Sequence, residues 1–221
     1  MTKPEGARRT RDLPAAVTAR EALEDLRQGN GRFVAGAGSR VAGPEPRRRA
    51  ELARGQRPFA VVIGCADSRV PPELVFDQPP GALFVVRVAG NVVGPLQLGS
   101  AELAVRSFGP RLVVVLGHSG CGAVTAALDQ LLGEGAPESA SLQAVLDSVR
   151  PALLPLTARA AGLDRDALLA RAVRANTRAA VTALRESADL AAAGGSEVAV
   201  VGAEYSLETG VVDFFEEGPI G

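Results

Sequence analysis

Four short runs of mainly branched apolar residues set the frame for this chain: Phe59–Ile63, Leu83–Val88, Leu112–Leu116 and Glu197–Gly202. None alternates regularly with polar residues, which is the pattern of a strand buried on both faces. Val211–Phe215 is a fifth candidate, and the turn ending at Gly210 allows it to return antiparallel. Between the runs the apolar spacing becomes helical, over Gly99–Phe108, Gly122–Leu132, Ser141–Leu153 and one long pattern across Asp164–Ala192. Buried strands alternating with helices predict an α/β fold. Its centre is a mainly parallel sheet of four strands plus an antiparallel edge strand, with helices on both faces.

Before the first strand, residues 1–16 are dominated by Pro, Gly and Arg and read as a disordered arm. Thr18–Val34 reads as an N-terminal helical arm, with Thr18 as its cap and Ala22, Leu23, Leu26 and Phe33 as its apolar face. Ala35–Arg49 reads as a loop and Arg48–Arg54 as a short helix. With no repeat and no low-complexity linker, residues 17–221 are expected to form one domain.

Composition narrows the function classes. The chain is 47% hydrophobic and 22% charged, with a formal net charge of -1, as expected of a soluble globular protein. No charge excess points to nucleic acid or a membrane surface. No signal-peptide pattern and no apolar stretch of membrane-spanning length occur, so a cytoplasmic location is expected. Two cysteines in a chain of this size are not a disulfide framework; in a reducing compartment they are free, catalytic or metal-bound.

Those two cysteines and the one histidine fall in two glycine-flanked segments at strand ends. Cys65 opens Cys65-Ala-Asp-Ser-Arg69, and His118 and Cys121 lie in Gly117-His-Ser-Gly-Cys-Gly122. Sites in open parallel sheets form beyond the carboxyl ends of the strands. If the two strands are neighbours, the three side chains can meet there. Two thiolates and an imidazole form a zinc ligand set that leaves a fourth tetrahedral position open. Taken singly, each residue also suits an ordinary core position. Asp67 either binds the metal, closing the site, or pairs with Arg69 and accepts a hydrogen bond from a hydroxide at the metal. A plain loop ion pair is the bland alternative.

Cys65-Ala-Asp-Ser-Arg-Val70 and His118-Ser-Gly-Cys121 resemble the paired signatures of the β-class carbonic anhydrases. Phe76-Asp, Pro80–Arg87, Ala89-Gly-Asn91, Gly99–Ala104 and Gly202–Gly210 follow in the order that family shows, and Leu23–Val34 is similar to its N-terminal helix. The resemblance implies reversible hydration of carbon dioxide to bicarbonate by zinc-bound hydroxide. Cys65, His118 and Cys121 would hold Zn2+, with Asp67 joining them only in a closed form. Asp67 and Arg69 would be the catalytic dyad. Gln56 would bind a bicarbonate oxygen, often from across a dimer, and Phe84 and Ala89 would line the carbon dioxide pocket. It also implies a dimer or a dimer of dimers, with the N-terminal helix packed on a neighbouring subunit.

Three positions depart from the family pattern. Val88 replaces a common Asn, Leu103 a common Tyr, and Val62 the Trp of members with a bicarbonate-inhibited closed form. Two rival functions remain open at this level. One is an enzyme of the same fold acting on carbon disulfide or carbonyl sulfide. The other is a zinc-stabilised interaction protein without catalysis, against which the intact Asp67 and Arg69 argue.

Overall fold

The computed structural model describes residues 17–38, 46–135, 139–157, 164–194, 198–218 and 220. The expected arm at residues 1–16 lies outside them. Helix α1 (Ala19–Val34) begins at Thr18, whose side chain accepts from the Glu21 N–H while the Glu21 carboxylate accepts from the Thr18 backbone N–H. This reciprocal capping satisfies two donors that a helix start leaves free. A short helix α2 (Pro46–Leu52) precedes strand β1 (Ala60–Gly64), helix α3 (Pro72–Val75) and strand β2 (Leu83–Arg87). Helix α4 (Pro95–Phe108), strand β3 (Leu112–His118), helix α5 (Gly122–Leu131) and helix α6 (Ala140–Thr157) follow. Helices α7 (Arg165–Arg185) and α8 (Ala188–Gly194) and strands β4 (Ala199–Tyr205) and β5 (Val212–Glu217) complete the order.

The sheet runs β2-β1-β3-β4-β5. The first four strands are parallel and β5 returns antiparallel on β4, as the sequence predicts. Every residue of β1 and β3 is buried, which explains their unbroken apolar character. Alternate side chains serve opposite faces. Ala60, Val62, Leu112, Val114 and Leu116 pack beneath α1 and α3. Val61, Ile63, Val113 and Val115 pack with Ala101, Ala104 and Val105 of α4 and with Ala180, Val181 and Leu184 of α7. A third cluster, beyond the strand ends, joins α5, α6 and the first half of α7 around Cys65 and Cys121.

Several boundaries differ from the expectation. The long pattern across Asp164–Ala192 is two helices. The Glu186 N–H closes α7 on the Thr182 carbonyl at 2.9 Å, and the Ser187 hydroxyl accepts from the Leu190 N–H at 3.2 Å to start α8. Such a local serine bond competes with continued helix. α4 starts at Pro95, four residues before the expected Gly99, because proline fits the first helical position and the Gln97 side chain caps the Gly94 N–H at 3.1 Å.

The N-terminal helix is no detached arm. Ala22, Leu23 and Leu26 lie within the chain's own core. The buried Asn30 amide donates to the carbonyls of Val75 at 3.1 Å and Gly210 at 2.9 Å, and its oxygen accepts from the Val212 N–H at 2.9 Å. Arg27 pairs with Glu217, and Arg20 reaches the Ile220 carbonyl at 3.2 Å. Polar groups of α1 thus seat its inner face on its own C-terminal hairpin.

Candidate metal centre

β1 ends at Gly64 and Cys65 follows at once; His118 is the last residue of β3, and Cys121 is the N-cap of α5. Because β1 and β3 are adjacent, Cys65, His118 and Cys121 converge, with their ligand atoms all within 4.8 Å of one another. All three are buried, and the two sulfurs stand 3.9 Å apart as free thiols rather than a disulfide.

Backbone contacts hold this group. His118 Nδ1 lies 2.9 Å from the Ser119 carbonyl, which assigns its proton to Nδ1 and leaves Nε2 as the lone-pair nitrogen. Nε2 is buried and has no hydrogen-bond partner. A buried polar atom without a partner is costly, and a cation between it and the two sulfurs would satisfy it. The Ser119 N–H bonds the Tyr205 carbonyl at 3.0 Å, and its hydroxyl accepts from the Leu207 N–H at 2.9 Å, so the loop after β4 clasps the loop after β3.

The two sulfurs share a hydrogen-bonding proton for which either can be the donor. That contact pulls the Cys65 thiol down, and the His118 side chain and the N–H groups of Asp67 and Gly90 add to that. The same contact and burial push the Cys121 thiol up. A divalent cation would take the place of that proton, so this donor set fits a soft metal.

Asp67 points toward the centre yet is held by its neighbour. Its Oδ2 lies 4.0 Å from His118 Nε2. Arg69 donates from Nε to Oδ1 at 2.9 Å and from Nη2 to Oδ2 at 2.6 Å, and the Arg69 backbone N–H adds a bond to Oδ1 at 2.9 Å. The Arg69 side chain holds the Asp67 carboxyl well below the usual carboxylate range. Of the two arrangements expected for Asp67, this is the one paired with Arg69.

Other expected residues stand elsewhere. Ala89, half-buried, opens the turn Ala89–Asn91. Val88 contributes its backbone: its N–H bonds the Gly64 carbonyl and its carbonyl accepts from Ala66, both at 3.1 Å. Gln56 precedes β1 whereas Cys65 follows it, so the five-residue strand, ~16 Å long, separates them. Gln56 lines an open pocket with Arg48, Arg54 and Arg57 at the opposite end of the sheet. Phe84 is paired in register with Val61 and packs on Phe108 at 6.0 Å. Neither Gln56 nor Phe84 reaches the trio of its own chain, because each sits at or before the middle of its strand rather than beyond it.

Sequence reasoning missed Arg87, whose Nε donates to the Cys65 carbonyl at 2.8 Å and whose Nη2 donates to the Asp67 carbonyl at 2.5 Å. A charged residue closing a buried strand was the available signal. It also missed the buried pair Asn176 and Thr177 on α7.

Comparison with known proteins agrees with this geometry. Residues 60–212 match the carbonic anhydrase family model. The chain is 42% identical over 190 residues to carbonic anhydrase 2 of Mycobacterium tuberculosis, covering 86% of this chain and 89% of that one. It superposes on a crystal structure of a β-carbonic anhydrase from Aspergillus fumigatus with a TM-score of 0.69 at 30% identity, over 79% of this chain and 83% of the other. The fold is shared with a tetrameric β-carbonic anhydrase from Sordaria macrospora, at a TM-score of 0.71 and 23% identity over 90% of this chain and 98% of that one. With the strand-end trio, the carboxylate beside it and a family match across well over half of its length, the chain belongs to the carbonic anhydrases, enzymes that interconvert carbon dioxide and bicarbonate.

Proposed function

We propose that Cys65, His118 and Cys121 hold one zinc ion and that Asp67, fixed by Arg69, orients the attacking oxygen. The observation that carries this reading is the buried, partnerless Nε2 of His118 within 4.8 Å of the two sulfurs. When bound, zinc acts as a Lewis acid that lowers the pKa of a coordinated water to ~7 and so supplies the nucleophile for carbon dioxide. Asp67 Oδ2 would accept a hydrogen bond from the proton of the attacking oxygen and so orient it toward the substrate carbon. Arg69 would keep the carboxylate from joining Cys65, His118 and Cys121 as a further ligand through its two-point hold, a charge-assisted and directional contact. Arg87 holds the Cys65–Asp67 backbone in place. His118 is the sole histidine in the sequence and serves as a ligand. The released proton therefore leaves through water, carboxylates or buffer.

The chain works as a dimer or dimer of dimers in this reading. Gln56, stranded at the far end of its own sheet, and Phe84 with it, serve the site of the neighbouring chain, where Gln56 donates to a bicarbonate oxygen. Support comes from α4, whose Leu96 and Leu103 are 81% and 59% exposed on one face of the helix. The tetrameric relatives from Sordaria macrospora agree. Residence in the cytoplasm is part of the proposal: the paired thiols suit a reducing compartment. No helix among the described residues is long and apolar enough to cross a membrane.

Metal analysis and stopped-flow carbon dioxide hydration on one sample test the reading. About one zinc per chain with hydration activity is expected. Full activity after exhaustive chelation, or a zinc-replete chain inert across pH, would overturn it.

A further inference from the structure

The end of the sheet away from Cys65, His118 and Cys121 carries a cavity of about 380 Å³. It lies between α2, the turn after α2 and the Gly81-Ala82 entry to β2, and Arg48, Arg54, Gln56 and Arg57 line it. Among the described residues Glu51 is the one carboxylate in its wall, and both of its oxygens are engaged. Oε2 meets Arg48 Nη1 at 3.1 Å and Oε1 meets Arg47 Nε at 3.5 Å. Arg54 and Arg57 have no ion pair among the described residues. Two guanidinium groups thus flank Gln56 without a counter-charge.

The backbone beneath them is fixed. The Gly55 N–H closes on the Leu52 carbonyl at 3.1 Å, and the Phe59 N–H bonds the Ala82 carbonyl at 2.9 Å. Pro58 is buried and confines Arg57 before it to extended backbone. Leu52 sits so close on Gly81 that a Cβ there would lie 2.7 Å from its Cδ2. A cavity with a fixed floor and guanidinium walls fits a small oxyanion, whose oxygens match the paired N–H donors of arginine.

The charges of the metal centre show which anion needs it. The thiolates of Cys65 and Cys121 would balance a divalent cation, and Arg69 balances Asp67. The centre then has no net positive charge with which to draw in bicarbonate. A cleft lined by charge of one sign raises the local concentration of an opposite ion 10- to 10³-fold.

We propose that Arg54 and Arg57 form an anion-attracting mouth for the metal centre of the neighbouring chain, drawing bicarbonate to Gln56. The inference rests on the reading that Gln56 serves the neighbour's site. Carbon dioxide is uncharged and gains nothing from the arginines. At one pH the two directions of the reaction share one equilibrium constant, so kcat/KM changes equally in both. Affinity for bicarbonate itself is therefore the distinguishing readout.

The test titrates the cobalt-substituted full chain with sodium bicarbonate at fixed, mildly alkaline pH and takes Kd from the visible spectrum. The variants are Arg54→Gln with Arg57→Gln, Arg54→Lys with Arg57→Lys, Gln56→Ala and Arg49→Gln. Arg49 is exposed on α2 and lies outside the cavity wall. The double glutamine variant should raise Kd about 10-fold, the lower end of such focusing. The double lysine variant should keep most of the wild-type affinity, and Arg49→Gln all of it. Added salt should weaken binding to the wild type and hardly move the double glutamine variant, because screening acts on the charges already removed. An unchanged Kd in the double glutamine variant, with a raised one in Gln56→Ala, would overturn the inference alone. An unchanged Kd in both would overturn the reading that this end of the sheet serves a neighbour's site, as would a monomeric wild type in sedimentation. An equal rise in Arg49→Gln would replace the mouth by a general charge effect and overturn the inference. Dissociation of the double glutamine variant would do so too, assigning the arginines to assembly.

Discussion

Arg69 grips Asp67 at both carboxylate oxygens and again through its backbone N–H, and thereby holds it beside, rather than within, the ligand group of Cys65, His118 and Cys121. The pair lies partly exposed, so its worth to folding is small. Its consequence is geometric. Arg69→Ala should lower hydration activity with zinc content near wild type, because the freed carboxylate can occupy the metal. Asp67→Asn should also keep its zinc and lose ~10²-fold in kcat, the range for a positioned acid–base group. Stopped-flow rates beside metal analysis check both, and near wild-type rates would reduce the pair to a loop ion pair.

The depressed pKa of Asp67 sets a pH window. Its folded value lies below the unfolded ~3.9. A carboxylate shifted that way adds stability above its unfolded pKa and loses it as pH falls through the folded one. The Tm difference between wild type and Asp67→Asn should be flat from pH 9 to about 5 and narrow below about 4. A difference that stayed flat through about pH 3 would mean that Arg69 does not hold the carboxylate, since an unshifted pKa gives no pH dependence. It follows that loss of activity on mild acidification belongs to another group than Asp67.

Cys65→Ser and Cys121→Ser should each lose most of the zinc, since a hydroxyl is a poor ligand for it. Elemental analysis after dialysis provides the readout. A fully loaded and active Cys65→Ser protein would remove Cys65 from the ligand set.

At Gly117 β3 lies close against α7. A Cβ there would lie 2.3 Å from the Thr177 Oγ1, which is buried and has no hydrogen-bond partner. Gly117→Ala should cost ~1–3 kcal/mol by overpacking. It should also weaken metal binding by displacing His118, the next residue. Thr177→Ala in the same chain should restore part of both. Chemical denaturation of the single and double variants gives the coupling, and simple additivity would show that the two residues do not meet.

Leu26→Ala should cost ~2–5 kcal/mol, the range for a fully buried leucine, if α1 is seated on its own chain. Equilibrium unfolding measures this. A change of less than ~0.5 kcal/mol, typical of a surface site, would show that this face of α1 is not seated on its own chain.

The sheet was legible in the sequence because β1 and β3 are buried on both faces and so lack any polar interruption. The metal trio was legible because soft ligands are scarce and fall at strand ends. Arg87 and Asn176 were not, because they act on backbone carbonyls of Cys65, Asp67 and Gly90, and a carbonyl leaves no mark in a sequence. The split between α7 and α8 hinged on one serine hydroxyl. Gln56 was singled out by resemblance alone. Only the strand between it and Cys65 shows that the two are separated within one chain.

The bonds from Asn30 to Gly210 and Val212 bear on how the molecule is made. They join positions up to 182 residues apart in the sequence, so during synthesis the first helix emerges long before the groups that seat it. The core beneath α1 stays open until β5 clears the ribosome. The apolar side of α1 therefore waits for its last partners throughout the synthesis of the residues between them.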